Sequence, residues 1–280
     1  MSGTSNVEIS SGIGLRTELS LRALGFARDR QLCIQQTDGD VPGVIFCQDG
    51  SVRHGNFHPS SYPRIVGNPQ WARRLNKVHT SFKRSRARAD WNWRELDCAH
   101  SSDALLMNVF CHPRTLSSDR LRGLLGIEST AQPDFGFKPR TPLVNGRHDC
   151  TEIDMKVGQI LVEAKLTETD FQSARIGLIS RYRDLETVFD ISELPQQNGK
   201  SCSYQLIRGV LAAYAIGCFF YVFCDARRPD LIESWYRILR AVRPFDLRYR
   251  LKLLTWQELS AALPDDLQSF LDCKYGIHSG

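Results

Sequence analysis

Hydrophobic and polar positions form patterns along the chain that predict both helices and strands. Apolar residues at helical spacing over 204–216 end at Gly217, which is a usual helix stop. The next stretch, 218–224, is apolar throughout and predicts a strand that is buried on both faces. Three further runs of strand length precede this pair, and they predict strands at 135–139, 150–157 and 159–167.

The remaining pattern adds helices with recognisable starts. Ser101 and Ser102 precede a short apolar stretch that Pro113 ends, which predicts a serine-capped helix. Asp230 and Glu233 have the spacing of a capping box and predict the start of another helix. From residue 101 onward the order is helix, three strands, helix, strand, which predicts an α/β fold with a mixed sheet. The other expected elements are a helix at 15–25, strand-like pieces at 31–36 and 44–47, a basic helical stretch at 71–88, a helix around 173–188, a strand at 250–254 and a capped helix from 255.

Composition agrees with a globular protein. Hydrophobic residues make up 42% and charged residues 24% of the 280 residues, which excludes extensive disorder and fibrous repeats. The longest apolar run, 210–224, is too short to cross a bilayer, and no secretory signal is recognisable at the N-terminus. Nine cysteines without a CxxC pair are therefore interpreted as reduced thiols, and a cytoplasmic location without membrane contact is expected.

Positive charge is concentrated in one segment. The formal net charge is +5, whereas residues 71–94 alone carry +7 and the rest of the chain carries −2. A basic segment on a near-neutral body indicates a polyanionic partner, and the planar guanidinium group of arginine suits contacts with phosphate. A solvated helix face is the plain alternative. The residues expected to contact nucleic acid are Arg73, Arg74, Lys77, Lys83, Arg84, Arg86 and Arg88.

The segment 150–167 carries the side chains best suited to catalysis. Asp154 lies on the first strand of a predicted hairpin, and Glu163 and Lys165 lie on one face of the second strand. Because the turn is near Gly158, Asp154 can lie across from Glu163, so that two carboxylates and an ammonium group converge. A hard divalent cation would offset the repulsion between the carboxylates, and the lysine could position or deprotonate a water for attack on a phosphodiester.

Pattern alone leaves alternatives to this interpretation. The acidic-x-Lys triplet occurs at 154–156, 163–165 and 272–274, and only the second lies inside an apolar strand that follows an acid-bearing strand. An ordinary exposed strand with an ion pair would contain the same residues. Glu152 shares a strand face with Asp154 and could replace it as a ligand. A zinc site is a further alternative, with ligands drawn from Cys98, His100, Cys111, His112, His148 and Cys150.

An aspartate followed after eight residues by Glu-Ala-Lys on a hairpin resembles the PD-(D/E)XK nuclease superfamily. More narrowly, the chain resembles a bacterial family of restriction-endonuclease-like proteins. The resemblance covers roughly residues 95–225, and a weaker similarity extends to 251–259. The stretches that carry it are SSDAL at 101–105 with Asn108 and Phe110, TEID at 151–154, VEAKLTETDF at 162–171 and YQLIRGVLAAY at 204–214.

The resemblance implies a restriction-endonuclease-like αβββαβ core with a mixed central sheet in residues 95–280. Residues 1–94 would form an N-terminal extension that carries the basic segment, which lies outside the superfamily core. The implied activity is metal-dependent hydrolysis of phosphodiester bonds, with DNA as the expected substrate. The usual ion would be Mg²⁺, with Mn²⁺ as a substitute. A homodimer would suit a nuclease that cuts both strands, although no sequence feature specifies one.

The resemblance also implies roles for particular residues. Asp154 and Glu163 would bind the metal ion, and Lys165 would be the catalytic lysine. Gln205, on the following helix, resembles a site glutamine of related nucleases. The superfamily often has an acidic residue on its first helix, and two residues compete for that position, Asp103 and Glu95. The competing hypothesis for the whole chain is a non-catalytic protein that binds nucleic acid or another partner on a nuclease-like scaffold.

Overall fold

A computed structural model of the chain describes residues 5–37, 43–49, 53–78 and 94–279, with side chains from residue 12 onward. The described chain divides into two compact units, each of which is treated by itself. Unit 1 contains the residues up to Ser11 and Asp134–Thr255, and unit 2 contains Gly12–Pro133 and Trp256 to the C-terminal end. The domain boundary expected after residue 94 stays a prediction.

Helices and strands succeed one another along the described residues, with short 3₁₀ turns at Arg73–Asn76, Glu95–Asp97 and Ile191–Glu193. The helices are α1 (Ser5–Asp29), α2 (Tyr62–Gly67), α3 (Pro69–Ala72), α4 (Ser102–Phe110), α5 (Asp119–Leu125), α6 (Ile176–Ile179), α7 (Leu185–Val188), α8 (Tyr204–Ile216), α9 (Pro229–Ala241), α10 (Phe245–Tyr249), α11 (Trp256–Ser260) and α12 (Asp265–Tyr275). The strands are β1 (Ile34–Gln36), β2 (Val44–Phe46), β3 (Gln48–Asp49), β4 (Arg53–His54), β5 (Pro133–Phe137), β6 (Thr141–Pro142), β7 (His148–Asp149), β8 (Ile153–Val157), β9 (Ile160–Ala164), β10 (Ala174–Arg175), β11 (Gln196–Gln197), β12 (Lys200–Ser201), β13 (Phe219–Cys224) and β14 (Leu251–Thr255).

Unit 1 is built on a five-stranded sheet with the order β14-β13-β9-β8-β5. Strands β8 and β9 are antiparallel, and their two-residue loop begins at Gly158, which has a φ of 56°. Strand β13 runs parallel to both β9 and β14. The α/β class with a mixed central sheet, which the sequence predicts, is therefore confirmed.

Helices α8 and α9 supply much of the apolar core of unit 1. Leu206 and Val210 of α8 and Trp235 of α9 are buried in one cluster with side chains of β13. Helix α8 approaches β13 so closely that a Cβ atom at Gly209 would lie 2.2 Å from the ring of Phe220. Glycine suits this position because a larger residue would displace either the helix or the buried ring of Phe220.

Two local predictions for unit 1 are wrong, whereas the helix predicted at 15–25 is confirmed and extends beyond both of its expected ends. The helix expected around 173–188 is absent: Ala174–Arg175 forms β10, which pairs with β12, and the single-turn helices α6 and α7 follow. Pairing with residues 200–201 overrides the local helical tendency of this stretch. The capping box at the start of α9 does not form, because Asp230 lies inside the helix and binds Arg228.

Several predictions for unit 2 are confirmed. The strand-like pieces at 31–36 and 44–47 become β1 and β2, which pair in antiparallel fashion. The hydroxyl of Ser101 accepts a hydrogen bond from the Ala104 N–H at 3.1 Å and caps α4. The expected basic helical stretch begins with α3 and the following 3₁₀ turn, and residues 79–93 lie outside the described residues.

The core of unit 2 buries the amino group of Lys274. This residue is 1% exposed, and its Nζ donates hydrogen bonds to the main-chain oxygen of Asn56 at 2.7 Å and to the Asn56 amide oxygen. Burial holds the pKa of Lys274 well below its usual range. The surroundings are aromatic, with ring centres at 4.6–5.8 Å from Nζ in Phe26, Phe46, Phe270 and Tyr275.

Replacing Lys274 with methionine is expected to change how stability depends on pH. The unfolded chain binds more protons than the folded chain between the lowered pKa and the unfolded value of about 10.4, so wild-type stability should rise with pH across that interval. As the pH rises from 7 to 10, the free energy of unfolding of the wild type should therefore increase relative to that of Lys274→Met. Urea unfolding measures this, and Lys200→Met, at an exposed position, is the control. A difference that stays constant with pH would contradict the prediction.

Candidate functional site

Asp154 and Glu163 lie on adjacent strands at one end of the β8–β9 hairpin. The ladder between these strands runs from Val157–Ile160 to Met155–Val162. Beyond this ladder, the side chain of Asp154 makes the next contact between the strands, because its Oδ2 accepts a hydrogen bond from the backbone N–H of Ala164 at 2.8 Å. This hydrogen bond ties Asp154 to the strand that carries Glu163, in agreement with the expected cross-strand placement.

Lys165 completes the group that the sequence singles out. Its Nζ donates to Oε1 of Glu163 at 2.6 Å, and the two residues are only 5% and 2% exposed, respectively. Burial by itself lowers the pKa of Lys165, but the charges of Glu163, Asp154 and Glu168 outweigh this effect and raise it above its usual value. The amine is therefore a charged ammonium group at neutral pH. Asp154 is half-buried and is the most accessible of the three.

A third carboxylate, which the sequence analysis does not single out, joins this group. Oε2 of Glu168 accepts the backbone N–H of Leu166 at 2.6 Å, and the charge of Glu168 acts on Lys165. Three carboxylates thus act on the charge of one ammonium group. The sequence does show that Glu168 follows Lys165 by three residues. Strand periodicity, however, does not predict the turn that brings the carboxylate of Glu168 back toward Lys165.

Arg228 holds the turn that carries Glu168. Its guanidinium group is fully buried and donates to the main-chain oxygens of Glu168 at 2.7 Å and Thr169 at 3.2 Å. The same group binds both carboxylate oxygens of Asp230, at 2.9 and 2.6 Å. The start of α9 is thereby fastened to the turn after β9, next to Lys165.

Gln205 lies in the first turn of α8 and is half-buried. Its backbone N–H donates to the main-chain oxygen of Phe171 at 3.0 Å. The ring centre of Phe171 in turn lies 5.7 Å from Nζ of Lys165. Gln205 is therefore connected to the carboxylate and ammonium group through Phe171.

Three of the predicted nucleic-acid-binding residues fall within the described part of the chain. Arg73 is exposed, whereas Arg74 and Lys77 both donate to Oδ2 of buried Asp103, the former at 2.9 Å. Burial raises the pKa of Asp103, but the charges of Lys77 and Arg74 outweigh it and lower the pKa. Asp103 and Glu95, the two candidates for a first-helix acid, both belong to unit 2. The positions outside the described residues are Lys83, Arg84, Arg86 and Arg88.

The side chains that lie close enough together to hold a zinc ion differ from the set of ligands that the sequence suggested. Within the described ranges, one such group has its ligand atoms within 4.8 Å of one another: His58, His112 and Asp266. Nδ1 of His58 accepts the Ser60 N–H at 3.1 Å, and Nδ1 of His112 accepts the Arg114 N–H at 3.3 Å. Each neutral ring therefore carries its proton on Nε2, which leaves that atom without the lone pair that a metal ion needs. We interpret the group as a hydrogen-bonded cluster.

Comparisons with known proteins support the restriction-endonuclease-like relationship. A family model described as "Restriction Endonuclease associating with ARP" matches residues 21–276, which includes the β8–β9 hairpin and α8. The searches of curated proteins and of solved structures found no match. Of the helices that the structure describes, none has both the length and the hydropathy that a bilayer crossing requires. Since the family model covers most of its length, the chain belongs to the family of restriction endonucleases associating with ARP.

Proposed function

We propose that this protein is a metal-dependent nuclease of the PD-(D/E)XK type that hydrolyses phosphodiester bonds in DNA. The observation that carries the proposal is the convergence of Asp154, Glu163 and Lys165 at one end of a hairpin. The family assignment adds weight, because it is a restriction endonuclease family that matches the segment holding all three residues.

The side chains at this point suit a hard divalent cation. Asp154 and Glu163 offer carboxylate oxygens, which are the ligands that Mg²⁺ prefers, and Glu168 adds further negative charge nearby. A divalent cation bound by Asp154 and Glu163 would relieve the repulsion between their carboxylates. We infer that Asp154 and Glu163 would hold Mg²⁺, or Mn²⁺ in its place. The ion would supply Lewis acidity toward the phosphate and make water a better nucleophile at neutral pH.

The remaining residues would bind and orient the substrate. Lys165, held in place by Glu163, would put positive charge beside the phosphate and stabilise the negative charge that develops in the transition state. The side-chain amide of Gln205 would help to orient the phosphate or the attacking water. Because Glu163 and Lys165 are nearly covered, the phosphate would approach from the side of the more accessible Asp154.

Basic residues of segment 71–94 would provide contacts with the DNA backbone. Such contacts fix the position of a protein on nucleic acid without reading its sequence. In the described part of the chain, Arg73 is exposed and available, whereas Arg74 and Lys77 already bind Asp103. The charge of the whole segment still favours a polyanion.

Incubation of the full-length protein with supercoiled plasmid DNA tests the proposal. We expect nicked or linear products with Mg²⁺, loss of cleavage with EDTA, and recovery when Mg²⁺ or Mn²⁺ is added back in excess. Linear DNA and an RNA of the same sequence, run in parallel, separate endonuclease from exonuclease action and DNA from RNA. Plasmid that stays intact with both metals would contradict the proposal.

A second candidate is a non-catalytic binding protein on the same scaffold. The burial of the Glu163–Lys165 ion pair favours it, because this pair is satisfied within the protein. Calorimetric titration with Mg²⁺ and Mn²⁺ discriminates between the two candidates. A binding isotherm that disappears in Asp154→Asn supports the nuclease, whereas equally flat titrations of the wild type and the variant support the scaffold.

A further inference from the structure

Unit 1 has a cavity of about 340 Å³, and some of the residues that line it are close in sequence to residues of the candidate site. Thr151 at its wall lies three residues before Asp154, a separation of at most about 10 Å along the chain. Tyr204, also at its wall, immediately precedes Gln205. The cavity is therefore within a few nucleotide lengths of the carboxylates and Lys165.

Several residues that line the cavity are joined by a chain of hydrogen bonds. Tyr182, which is 3% exposed, donates its hydroxyl proton to Oδ2 of Asp149. Oδ1 of Asp149 accepts the N–H of Thr151 at 2.9 Å and its hydroxyl at 2.5 Å. Burial raises the pKa of Asp149, but the hydrogen bonds from Thr151 and Tyr182 outweigh it and lower the pKa, so the group remains a carboxylate. The negative charge of Asp149 is thus stabilised by hydrogen bonds from within the protein.

The same chain orients the hydroxyl group of Tyr204. The Tyr182 and Tyr204 oxygens are 3.0 Å apart. Because the proton of Tyr182 is committed to Asp149, Tyr204 is the donor between the two tyrosines. The oxygen of Tyr204 therefore keeps lone pairs that can accept a hydrogen bond from a ligand.

The rest of the cavity combines apolar walls with a basic rim. Leu143 and Leu178 provide aliphatic surface, and Tyr204 also lines the cavity, with its ring centre 5.8 Å from the guanidinium group of Arg208. Arg181 and His148, both exposed, are the basic residues that line it. Small-molecule sites range from about 300 to 1,000 Å³. A cavity at the low end of that range, with an aromatic ring, an acceptor and a guanidinium group, suits one nucleotide.

We propose that this cavity binds a single unstacked nucleotide of the substrate, with its base against Tyr204 and its phosphate at Arg181. The inference deepens the proposed nuclease function and rests on it for its biological role, since this nucleotide would flank the phosphodiester held near Asp154. Aromatic side chains hold unstacked bases of any sequence, because every base has a π-face. A substrate with single-stranded or easily unpaired positions at the cut would then be preferred.

Saturation-transfer NMR tests the cavity by measuring how the four deoxynucleoside monophosphates bind to the full-length protein in the presence of EDTA. We expect binding by the wild type and a loss of roughly tenfold or more in Tyr204→Ala, since base stacking on an aromatic side chain contributes this much. Leu178→Trp should fill the cavity and have the same effect, and because Leu178 is 38% exposed, this variant should fold. Tyr236→Ala, at a tyrosine of α9 that is 60% exposed, is the control and should bind normally. Inorganic phosphate and the free nucleosides separate recognition of phosphate from recognition of the base.

Two results would overturn the inference: no binding of any nucleotide by the wild type at millimolar concentration, or undiminished binding by Leu178→Trp. Failure of the proposed nuclease is recognised separately. If the wild type binds nucleotides through the cavity and yet cleaves no DNA, the nucleotide site stands and the nuclease does not. If it cleaves DNA while Leu178→Trp binds nucleotides and cleaves like the wild type, the nuclease stands and the cavity does not.

Discussion

Replacing Lys165 with alanine is expected to lower Mg²⁺-dependent cleavage of plasmid DNA by about 100- to 1,000-fold, the usual effect of removing one group that stabilises transition-state charge. The ammonium group of Lys165 is held at 2.6 Å from Glu163, so its charge has a fixed position next to the carboxylates. DNA binding in EDTA should be largely retained, because one buried cation contributes little to contacts with the backbone. Initial rates of nicking and binding isotherms measure the two effects.

The controls for this variant separate catalysis from folding. Lys165→Ala leaves the buried Glu163 without its cation, so its thermal unfolding must be recorded beside its activity. Asp154→Asn changes a half-buried residue by one atom and is expected to lose cleavage with less effect on folding. Lys156→Ala is the matched control, because Lys156 is the other lysine of the hairpin and belongs to the triplet that starts at Asp154. Cleavage by Lys165→Ala at the wild-type rate would remove Lys165 from the proposed mechanism.

Replacing Asp230 with alanine is expected to lower the free energy of unfolding by about 3–5 kcal/mol, the cost of removing one partner of a buried ion pair. Arg228 is fully buried, and Asp230 is the residue that accepts from both its Nε and its Nη2. Without that carboxylate, the guanidinium charge would remain in the interior with main-chain oxygens as its hydrogen-bond acceptors. Urea unfolding, followed by circular dichroism, measures the change.

An exposed ion pair of unit 1 provides the comparison. Asp246 and Arg250 approach to 3.5 Å, and the side chain of Asp246 is 79% exposed. Asp246→Ala should therefore change the free energy of unfolding by no more than about 1 kcal/mol, as is usual for pairs in solvent. Equal effects of the two substitutions would mean that Arg228 does not need a carboxylate. Because Arg228 also binds the turn that carries Glu168, Asp230→Ala should lose cleavage even at temperatures where it is folded.

Local patterns predicted those parts of the fold whose contacts lie close together in the sequence. Residues 204–216 were expected as a helix and form α8, and Gly217 ends it with a positive φ of 69°. The hairpin followed from two apolar runs around Gly158, and its register followed from the period of two along each strand. Asp154, Glu163 and Lys165 were recognisable for the same reason, because a short antiparallel hairpin makes nearby positions in the chain neighbours in space.

Long-range contacts explain what the sequence did not predict. Arg228 reaches Glu168 across 60 residues, and the two tyrosines of the cavity are separated by 22. The basic segment shows the same limit, since charge counting cannot indicate that Arg74 and Lys77 bind Asp103, 29 and 26 residues away. Local propensity also failed at 174–175, where pairing with a distant strand replaced the expected helix.

The sequence by itself determined the α/β class, the β8–β9 hairpin and the positions of its acidic and basic residues, because each depends on periodicity over a few neighbouring residues. The tertiary structure alone decided that Glu168 acts on Lys165, that Arg228 holds the turn after β9, and that a cavity of about 340 Å³ forms at Thr151 and Tyr204. These features depend on which distant segments the packed core brings together, and the burial that makes their charges matter exists only in the folded chain.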